Sequence, residues 1–172
     1  MVYNDDALYI SAICYDDPDS ISNVLSLRDD YNPNLDVFQV YLDTYNDDQN
    51  GFYFGVTSRG VQIDAKITGS NYIGELNLAW YSAVSITENS WIVEIRIPYS
   101  AIRFPKKDIQ SWGVNFSRDI SRYREESTWV KVNPDLENFL IENGDVVGIS
   151  GIQPPLRLAL MPYISSYLDR IP

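Results

Sequence analysis

Apolar and polar residues alternate with a period of two along most of the chain. In the segment ALYISAICY, the side chains of Leu8, Ile10, Ala12 and Cys14 fall on one face. The same alternation recurs in DVFQVYLD, GFYFGVTS, GVQIDAKI, WIVEIRIP, SWGVNFSRDI and STWVKV. This pattern is typical of β-strands that bury one face, so a strand is predicted in each segment.

Turn-forming clusters separate these segments, and helix signals are few. The clusters are NDD at 4–6, DDPDS at 16–20, NDDQNG at 46–51, SRG at 58–60 and TENS at 87–90. In NPDLENFLIENG, Asn133 as N-cap and Pro134 at the first helical position predict a short helix that ends at Gly144. PYSAIRFP has room for one helical turn between its prolines. The fold class predicted is all-β: an antiparallel, jelly-roll-like β-sandwich with one or two short helices.

Composition narrows the chemistry available to this fold. The 172 residues are 45% hydrophobic, which suffices for one domain with a core. The chain has no histidine and one cysteine, which excludes histidine-dependent nucleophiles, histidine zinc sites and an internal disulfide. Its net charge of −11, from 24 acidic and 13 basic side chains, argues against a nucleic-acid partner.

Targeting signals are also missing from the pattern. No apolar run reaches the ~20 residues of a membrane helix. The opening MVYNDDALYI has neither the basic start nor the apolar run of a secretory signal. We therefore expect either a cytosolic protein or a piece of a longer one.

One acidic residue, Glu94, interrupts the apolar strand WIVEIRIP. A glycosidase needs two carboxyl groups, about 5–5.5 Å apart for retention or about 6.5–9.5 Å apart for inversion. Local spacing brings no second carboxylate beside Glu94. We therefore expect a strand residue that pairs with a basic side chain across the sheet or faces solvent beside Arg96, and we predict no catalytic residue.

The order of several motifs resembles the family 9 carbohydrate-binding module. These motifs are Trp91, Glu94, Ile97-Pro98, the short YSAIRF turn and then WGVNFSR. The segments LDVFQVYLDTYNDDQNGFYFGV and DDALYISAICYDDPD extend the resemblance over roughly residues 1–153. The chain is most similar to the variant that precedes an outer-membrane β-barrel of unknown function in Bacteroidetes-type proteins.

The resemblance implies a β-sandwich over 1–153 and a C-terminal extension over 154–172, in which PPLRLALMPYISS would begin the barrel. It implies a non-catalytic carbohydrate-binding domain of a larger glycan-handling protein at the periplasm, cell surface or outer membrane. Two alternatives stay open. The first is a structural or interaction domain of the same fold that binds no sugar, such as a periplasmic cap on a barrel. The second is a glycan-active, glycoside hydrolase-associated domain.

The resemblance also implies a sugar site. Trp129, in EESTWVKV, lies on a segment similar to the strand that carries a binding-site tryptophan in the family, and sugar rings stack on aromatic faces. Asn115 and Arg118, from WGVNFSR, are expected beside Trp129 as hydrogen-bonding partners of the sugar hydroxyls.

A second group of sugar-site residues comes from two neighbouring strands. Alternation assigns Tyr41 and Tyr53 to the face opposite Phe38 and Phe54, together with Gln39. Gln39 stands where the family has a sugar-contacting glutamate. Gly55 stands where the family has an arginine on the following strand.

The acidic loop DTYNDDQNG is a candidate calcium site. Its oxygen-bearing side chains include those of Asp43, Asn46, Asp47, Asp48 and Asn50. Calcium takes six to eight oxygen ligands, and the resemblance implies a structural calcium because family members often carry one. The loop lacks the flanking helices and final glutamate of an EF-hand, and the alternative is a solvated hairpin loop.

The segment LRLALMPYISSYL also alternates, with Leu156, Leu158 and Leu160 on one face. One barrel strand cannot insert into a membrane alone. We expect it to pack on the sandwich, to pair with another chain so that copies self-associate through edge strands, or to be disordered.

Overall fold

Two antiparallel β-sheets form the domain. The computed structural model describes residues 1–74, 76–133, 135–136 and 138–155. Within these residues the strands are β1 (Val2–Tyr3), β2 (Ala7–Tyr15), β3 (Val37–Asp43), β4 (Asn50–Thr57), β5 (Gln62–Thr68), β6 (Asn71–Gly74), β7 (Tyr81–Ile86), β8 (Ser90–Pro98), β9 (Ile109–Ile120), β10 (Glu125–Thr128) and β11 (Gly144–Ser150). Single 3₁₀ turns occupy Pro18–Ser20 and Phe139–Glu142. The predicted all-β sandwich is confirmed.

The two sheets differ in size. The four-stranded sheet has the order β1-β2-β8-β7. The seven-stranded sheet has the order β10-β9-β3-β4-β5-β6, and β11 also pairs with β9. Strand β9 is long enough to hold both partners on one edge, with β11 beside its first half and β10 beside its last four residues.

The main core lies between the two sheets, as the alternation predicts. From β2, Leu8, Ile10 and Cys14 are buried there, and Trp91 and Trp112 are fully buried. Burial of a large apolar side chain contributes about 1.5–3 kcal/mol. The other residues from the predicted strands are Phe38, Val40, Leu42, Phe54, Val56, Val93, Ile95, Ile97 and Val114.

A second apolar cluster covers the outer face of the seven-stranded sheet. Ile63, Ala65 and Ile67 of β5 turn to this face. Leu35, which precedes β3, and Leu140, from the second 3₁₀ turn, pack over it. The larger sheet is therefore apolar on both faces, and its outer face can carry a lined pocket.

Three local predictions need correction. The helix predicted from Asn133 is only the 3₁₀ turn Phe139–Glu142, with Asn138 as its N-cap; Pro134 and Glu137 lie outside the described residues. Leu140 packs on the sheet and β11 begins at Gly144, so tertiary contacts override a weak helical signal. In PYSAIRFP, the backbone forms a hydrogen-bonded turn from Ala101 N to Pro98 O (2.8 Å) rather than a helix.

The third correction concerns STWVKV. The strand is Glu125–Thr128, and it ends before Trp129. Trp129 N still donates to Phe116 O (2.8 Å), but Gly144 of β11 then takes the edge of β9 opposite Val114. Since one edge accepts one partner at a time, the predicted strand cannot continue.

The alternating segment LRLALMPYISSYL lies outside the described residues. Among the residues that the structure does describe, the helices are too short and too polar to cross a membrane.

Candidate functional site

A pocket opens on the outer face of the seven-stranded sheet. In the register of β3 and β4, Gln39 stands opposite Gly55 and Tyr41 opposite Tyr53. Directly opposed residues share a face. The pocket has a volume of about 460 Å³ and is called the tyrosine pocket below; it is lined by Asp29, Tyr31, Gln39, Tyr41, Tyr53, Ile63, Ala65, Tyr72 and Glu126.

Aromatic rings form a continuous chain along the pocket. The ring centroids of Tyr41 and Tyr53 are 5.4 Å apart, and those of Tyr53 and Tyr72 are 5.9 Å apart in an edge-to-face arrangement. Phe139, carried by the second 3₁₀ turn, meets Tyr41 edge-to-face at 4.7 Å. Such contacts hold the rings in fixed positions, which lowers the entropy cost of binding a ligand on them.

Two buried polar groups in the pocket lack a hydrogen bond of normal length to the described residues. The Tyr41 hydroxyl donates to Gln39 Oε1 (3.1 Å). Among the described residues, however, the Tyr53 hydroxyl has no hydrogen-bond partner, and Gln39 Nε2 makes no hydrogen bond of normal length, although the Gln39 side chain lies close enough to the Asp119 carboxyl to counter the rise in its pKa. Gln39 is 3% exposed and Tyr53 is 4% exposed. A buried polar group without a partner costs about 1–3 kcal/mol of free energy. A polar ligand that forms hydrogen bonds with these two atoms would recover part of that free energy on binding.

Glycine at position 55 makes room for the Tyr53 hydroxyl. A β-carbon on residue 55 would lie 2.6 Å from that oxygen. The absent side chain therefore lets the tyrosine fold over its own strand, beside Gln39 on β3.

The mouth of the pocket is acidic. The Tyr31 hydroxyl donates to Asp119 Oδ2 (2.8 Å), and Glu126 stands directly opposite Asp119 across β10 and β9. Burial raises the pKa of Asp119. Burial also raises the pKa values of the Tyr41, Tyr53 and Tyr72 hydroxyls, which are therefore neutral at physiological pH.

The structure brings three of the six predicted sugar-site residues together, since Gln39, Tyr41 and Tyr53 all line the pocket. Asn115 shares their face, because it stands opposite Tyr41. Its buried amide forms two hydrogen bonds with the backbone of Val130. Asn115 Nδ2 donates to Val130 O (3.3 Å), and Asn115 Oδ1 accepts from Val130 N (3.0 Å). Asn115 therefore positions the chain after β10.

Trp129 lies on the other face of the sheet. Its ring contacts Phe116, with centroids 5.7 Å apart, and Phe116 packs against the core between the sheets. A β-carbon on Gly144, opposite the core residue Val114, would meet the Trp129 ring at 2.9 Å. Trp129 is 61% exposed, so its free surface lies at the sheet edge and away from Gln39.

Arg118 also lies on the core-facing side, opposite Phe38. Its guanidinium donates to Tyr15 O (2.8 Å) and pairs with Asp16 Oδ2 at 2.5 Å. Whether Arg118 or Trp129 contacts a sugar stays a prediction, but neither can act in the tyrosine pocket.

Sequence reasoning did not identify Tyr31, Tyr72 and Glu126 as pocket residues. Tyr72 lies on β6, opposite Ile67 of β5, and its signal is the turn at 69–70 that joins two short strands. Tyr31 comes from the irregular segment before β3, where no periodicity applies. Glu126 could have been found only from the register of β10 against β9.

The acidic loop is organised by its own backbone. The buried carboxylate of Asp43 accepts hydrogen bonds from four amide groups, those of Tyr45, Asn46, Asp47 and Asp48, at 2.7–3.1 Å. Asn46 and Asp48 have positive φ angles of 52° and 56°, which curl these amides towards one point.

A second carboxylate continues this arrangement. Asp47 accepts from the backbone amides of Gln49 and Asn50 and from Asn50 Nδ2, at 2.8–3.0 Å. In the described part of the chain, no three acidic, histidine or cysteine side chains come together as a metal cluster would require. Calcium at Asp43, Asn46, Asp47, Asp48 and Asn50 stays a prediction.

Glu94 is exposed on the outward face of the four-stranded sheet. It stands opposite Ser11 on one side and Ala83 on the other, in a shallow depression shared with Arg96. This is the solvent-facing placement beside Arg96 expected of a strand residue.

Comparisons with known proteins support the fold. No family model and no curated protein matches the chain. A family 9 carbohydrate-binding module from Caldicellulosiruptor kristjanssonii, solved in complex with cellotriose, is similar with a TM-score of 0.58 and 16% identity, covering 95% of this chain and 77% of that one. The module from the same organism solved with glucose has a TM-score of 0.60 and 16% identity, covering 89% and 77%. At this identity, the likeness shows a shared β-sandwich fold.

Proposed function

We propose that this domain is a non-catalytic carbohydrate-binding domain that takes a glycan in the tyrosine pocket. The observation that carries the proposal is the buried Tyr53 hydroxyl, which has no partner among the described residues, next to the buried amide of Gln39 in a pocket lined by aromatic rings. Sugars match this combination, because their C–H faces pack on aromatic rings while their hydroxyls donate and accept hydrogen bonds.

The fold gives the proposal further support. The similar domains were solved with cellotriose and with glucose, which are neutral sugars. Short glucose oligomers are therefore the first ligands to test. The wider role, as part of a larger cell-surface or outer-membrane glycan-handling protein, rests on the sequence resemblance and is proposed on that ground.

Two half-exposed aromatic residues on opposite faces provide a sharp test. Tyr72 is 49% exposed at the tyrosine pocket, and Trp129 is 61% exposed on the other side of the sheet. Titration calorimetry with a panel of soluble oligosaccharides should give dissociation constants between about 1 μM and 1 mM, or about −8 to −4 kcal/mol. Tyr72→Ala should weaken binding about tenfold, and Trp129→Ala should leave it unchanged.

The opposite outcomes are equally informative. A loss with Trp129→Ala alone would put the glycan on the sheet edge, as the family resemblance implies, and would remove the tyrosine pocket from the proposal. A parent domain that binds no glycan on the panel would leave the second candidate.

The second candidate is a protein-interaction domain. The outward face of the four-stranded sheet exposes Ile13, Tyr15 and Tyr81, at 53%, 68% and 59%. Exposed apolar and aromatic side chains on an open sheet face can form a contact surface for another protein.

A further inference from the structure

The charge around the tyrosine pocket points to the kind of sugar that it takes. The described residues that line it include Asp29 and Glu126 but no lysine or arginine. A neutral glucose unit has no charge to pair with these carboxylates, and an anionic sugar would be repelled by them.

Three of the nearby basic residues are paired with carboxylates already. Arg28 pairs with Asp64 and, at 3.5 Å, with Asp29, so Asp29 is already compensated. Arg118 and Arg122 both pair with Asp16, outside the pocket.

Two carboxylates have no such partner among the described residues: Glu126, which lines the pocket, and Asp119, which stands beside Glu126 next to the pocket. Asp119 and Glu126 are directly opposed across β9 and β10, where like charges destabilise a sheet. Asp119 receives a hydrogen bond from the Tyr31 hydroxyl and has the Gln39 side chain beside it, but both of these groups are neutral. Arg124 lines a neighbouring depression with them, yet no ion pair within 4.0 Å joins it to either carboxylate in the described part of the chain. A cation at the mouth would relieve this repulsion.

The rings of the pocket favour the same ligand charge. The faces of neutral phenol rings carry negative potential, and ammonium groups are attracted to them by about 0.5–2 kcal/mol. Four tyrosines, Tyr31, Tyr41, Tyr53 and Tyr72, contribute to the lining. The Tyr53 hydroxyl, which is more than nine-tenths buried and has no partner among the described residues, remains for the uncharged hydroxyls of the same ligand. The equally buried Gln39 Nε2, which makes no hydrogen bond of normal length there, is available beside it.

We infer that the tyrosine pocket binds a glycan unit that carries an ammonium group, of the glucosamine type, with its charge at Glu126 and Asp119 and its ring among the tyrosines. This inference rests on the proposed carbohydrate-binding function. The recognised chemistry is an organic ammonium, which a small quaternary amine such as choline would share.

Titration calorimetry with matched ligands tests the inference. The ligands are tetramers of β-1,4-linked glucosamine, N-acetylglucosamine and glucose, together with choline chloride. At low salt and pH 6, the glucosamine tetramer should bind about tenfold more tightly than either neutral tetramer. The preference should shrink as salt is added, because the charges at the mouth are partly exposed.

A pair of variants separates the pocket from the overall negative charge. Glu126→Gln and Glu125→Gln remove one charge each from adjacent positions of β10, whose side chains alternate between faces. Glu126→Gln should remove most of the glucosamine preference, and Glu125→Gln should keep it. Equal losses in both variants would show attraction to the net charge alone and would overturn the inference.

The ligand series keeps the two proposals apart. Equal binding of all three tetramers would overturn the ammonium inference and leave carbohydrate binding in place. Binding of choline without any tetramer would support the ammonium site and overturn the carbohydrate function. Binding of none of the four ligands would overturn both.

Discussion

The Tyr53 hydroxyl lies directly over Gly55, two residues further along the same strand. A β-carbon at position 55 would stand 2.6 Å from that oxygen, closer than real β-carbons approach an oxygen. The Tyr53 hydroxyl thus occupies the space that a side chain at position 55 would fill, and this places the hydroxyl next to Gln39.

Gly55→Ala should therefore disturb the pocket. The new methyl group must displace the Tyr53 ring, which is wedged between Tyr41 and Tyr72. Overpacking of this kind costs about 1–3 kcal/mol of unfolding free energy, measured by urea denaturation, and glycan affinity should fall with it. Gly74→Ala is the control, because a β-carbon there meets nothing within 4 Å. Equal effects of the two substitutions would contradict this account.

Gln39→Leu should separate stability from binding. The substitution removes Nε2, which makes no hydrogen bond of normal length to the described residues, and this removal stabilises the unbound protein. It also takes the acceptor from the Tyr41 hydroxyl, which destabilises it. Each term is about 1–3 kcal/mol and the two have opposite signs, so the unfolding free energy should change by less than about 1 kcal/mol. Glycan affinity should fall about tenfold in calorimetry. Unchanged affinity would mean that the ligand does not reach Gln39.

Asp16 should control stability in acid. Burial raises the pKa of the Asp16 carboxyl, but hydrogen bonds from Arg122 and the charges of Arg122 and Arg118 lower it more, so the net pKa lies below its ordinary value. The ion pairs therefore stabilise the fold above the unfolded-state pKa of about 3.9, and this contribution is lost as the pH falls through the lower folded-state pKa.

The test is Asp16→Asn. It should lower the unfolding free energy at pH 7 by about 3 kcal/mol, because it leaves two arginines without their partner, and it should flatten the decline in stability below about pH 4. Asp5→Asn, at an exposed position, is the control for the change in net charge. A variant that keeps the full acid-induced decline would assign that decline to other carboxylates.

Asp43→Asn should loosen the acidic loop. An asparagine keeps one oxygen for the amides of Tyr45 and Asn46, while its NH₂ group faces the amides of Asp47 and Asp48. Two lost acceptors should cost at least about 2 kcal/mol in the presence of chelator. Asp48→Asn, on an exposed side chain, should cost much less.

The same loop decides the calcium prediction. A metal that binds only the folded state raises the melting temperature by mass action. The predicted outcome is a higher melting temperature in millimolar calcium than in chelator, with the difference removed by Asp47→Asn. Identical melting curves would leave Asp43 and Asp47 as loop-organising residues.

The pocket should bind glycans without cleaving them. Asp119 and Glu126 are the carboxylates that stand opposite each other at its mouth. The two carboxyl groups of a glycosidase stand on either side of the scissile bond, whereas Asp119 and Glu126 stand side by side on adjacent strands. Incubation with glucose and glucosamine oligomers should release no new reducing ends. Release that disappears in Asp119→Asn would make the domain a hydrolase.

The pocket-facing part of the site could be predicted because it depends on strand periodicity. Gln39, Tyr41 and Tyr53 share a face by alternation alone, and the register of β3 and β4 brings them together. The same rule already separates Asn115 from Arg118, since residues three apart on a strand point to opposite faces. The predicted sugar site therefore included residues from both faces of the sheet, although alternation assigns them to opposite faces.

The rest depended on contacts between distant parts of the chain. Arg118 pairs with Asp16, 102 residues away, and no local pattern specifies that partner. The face of Trp129 is set by β11, which takes over the edge of β9 at Gly144. Tyr31 lies in an irregular segment, so its contact with Asp119 required the tertiary structure.

The seven-stranded sheet acts as a partition, with one apolar cluster on each side of its backbone. Side chains on the two sides share few partners, so the free-energy effects of substitutions on them should add. Ile63 and Ala65 line the pocket without contributing to the cluster between the sheets. Substitutions in the pocket, by evolution or by design, can therefore change its ligand specificity with little effect on the stability that the core between the sheets provides.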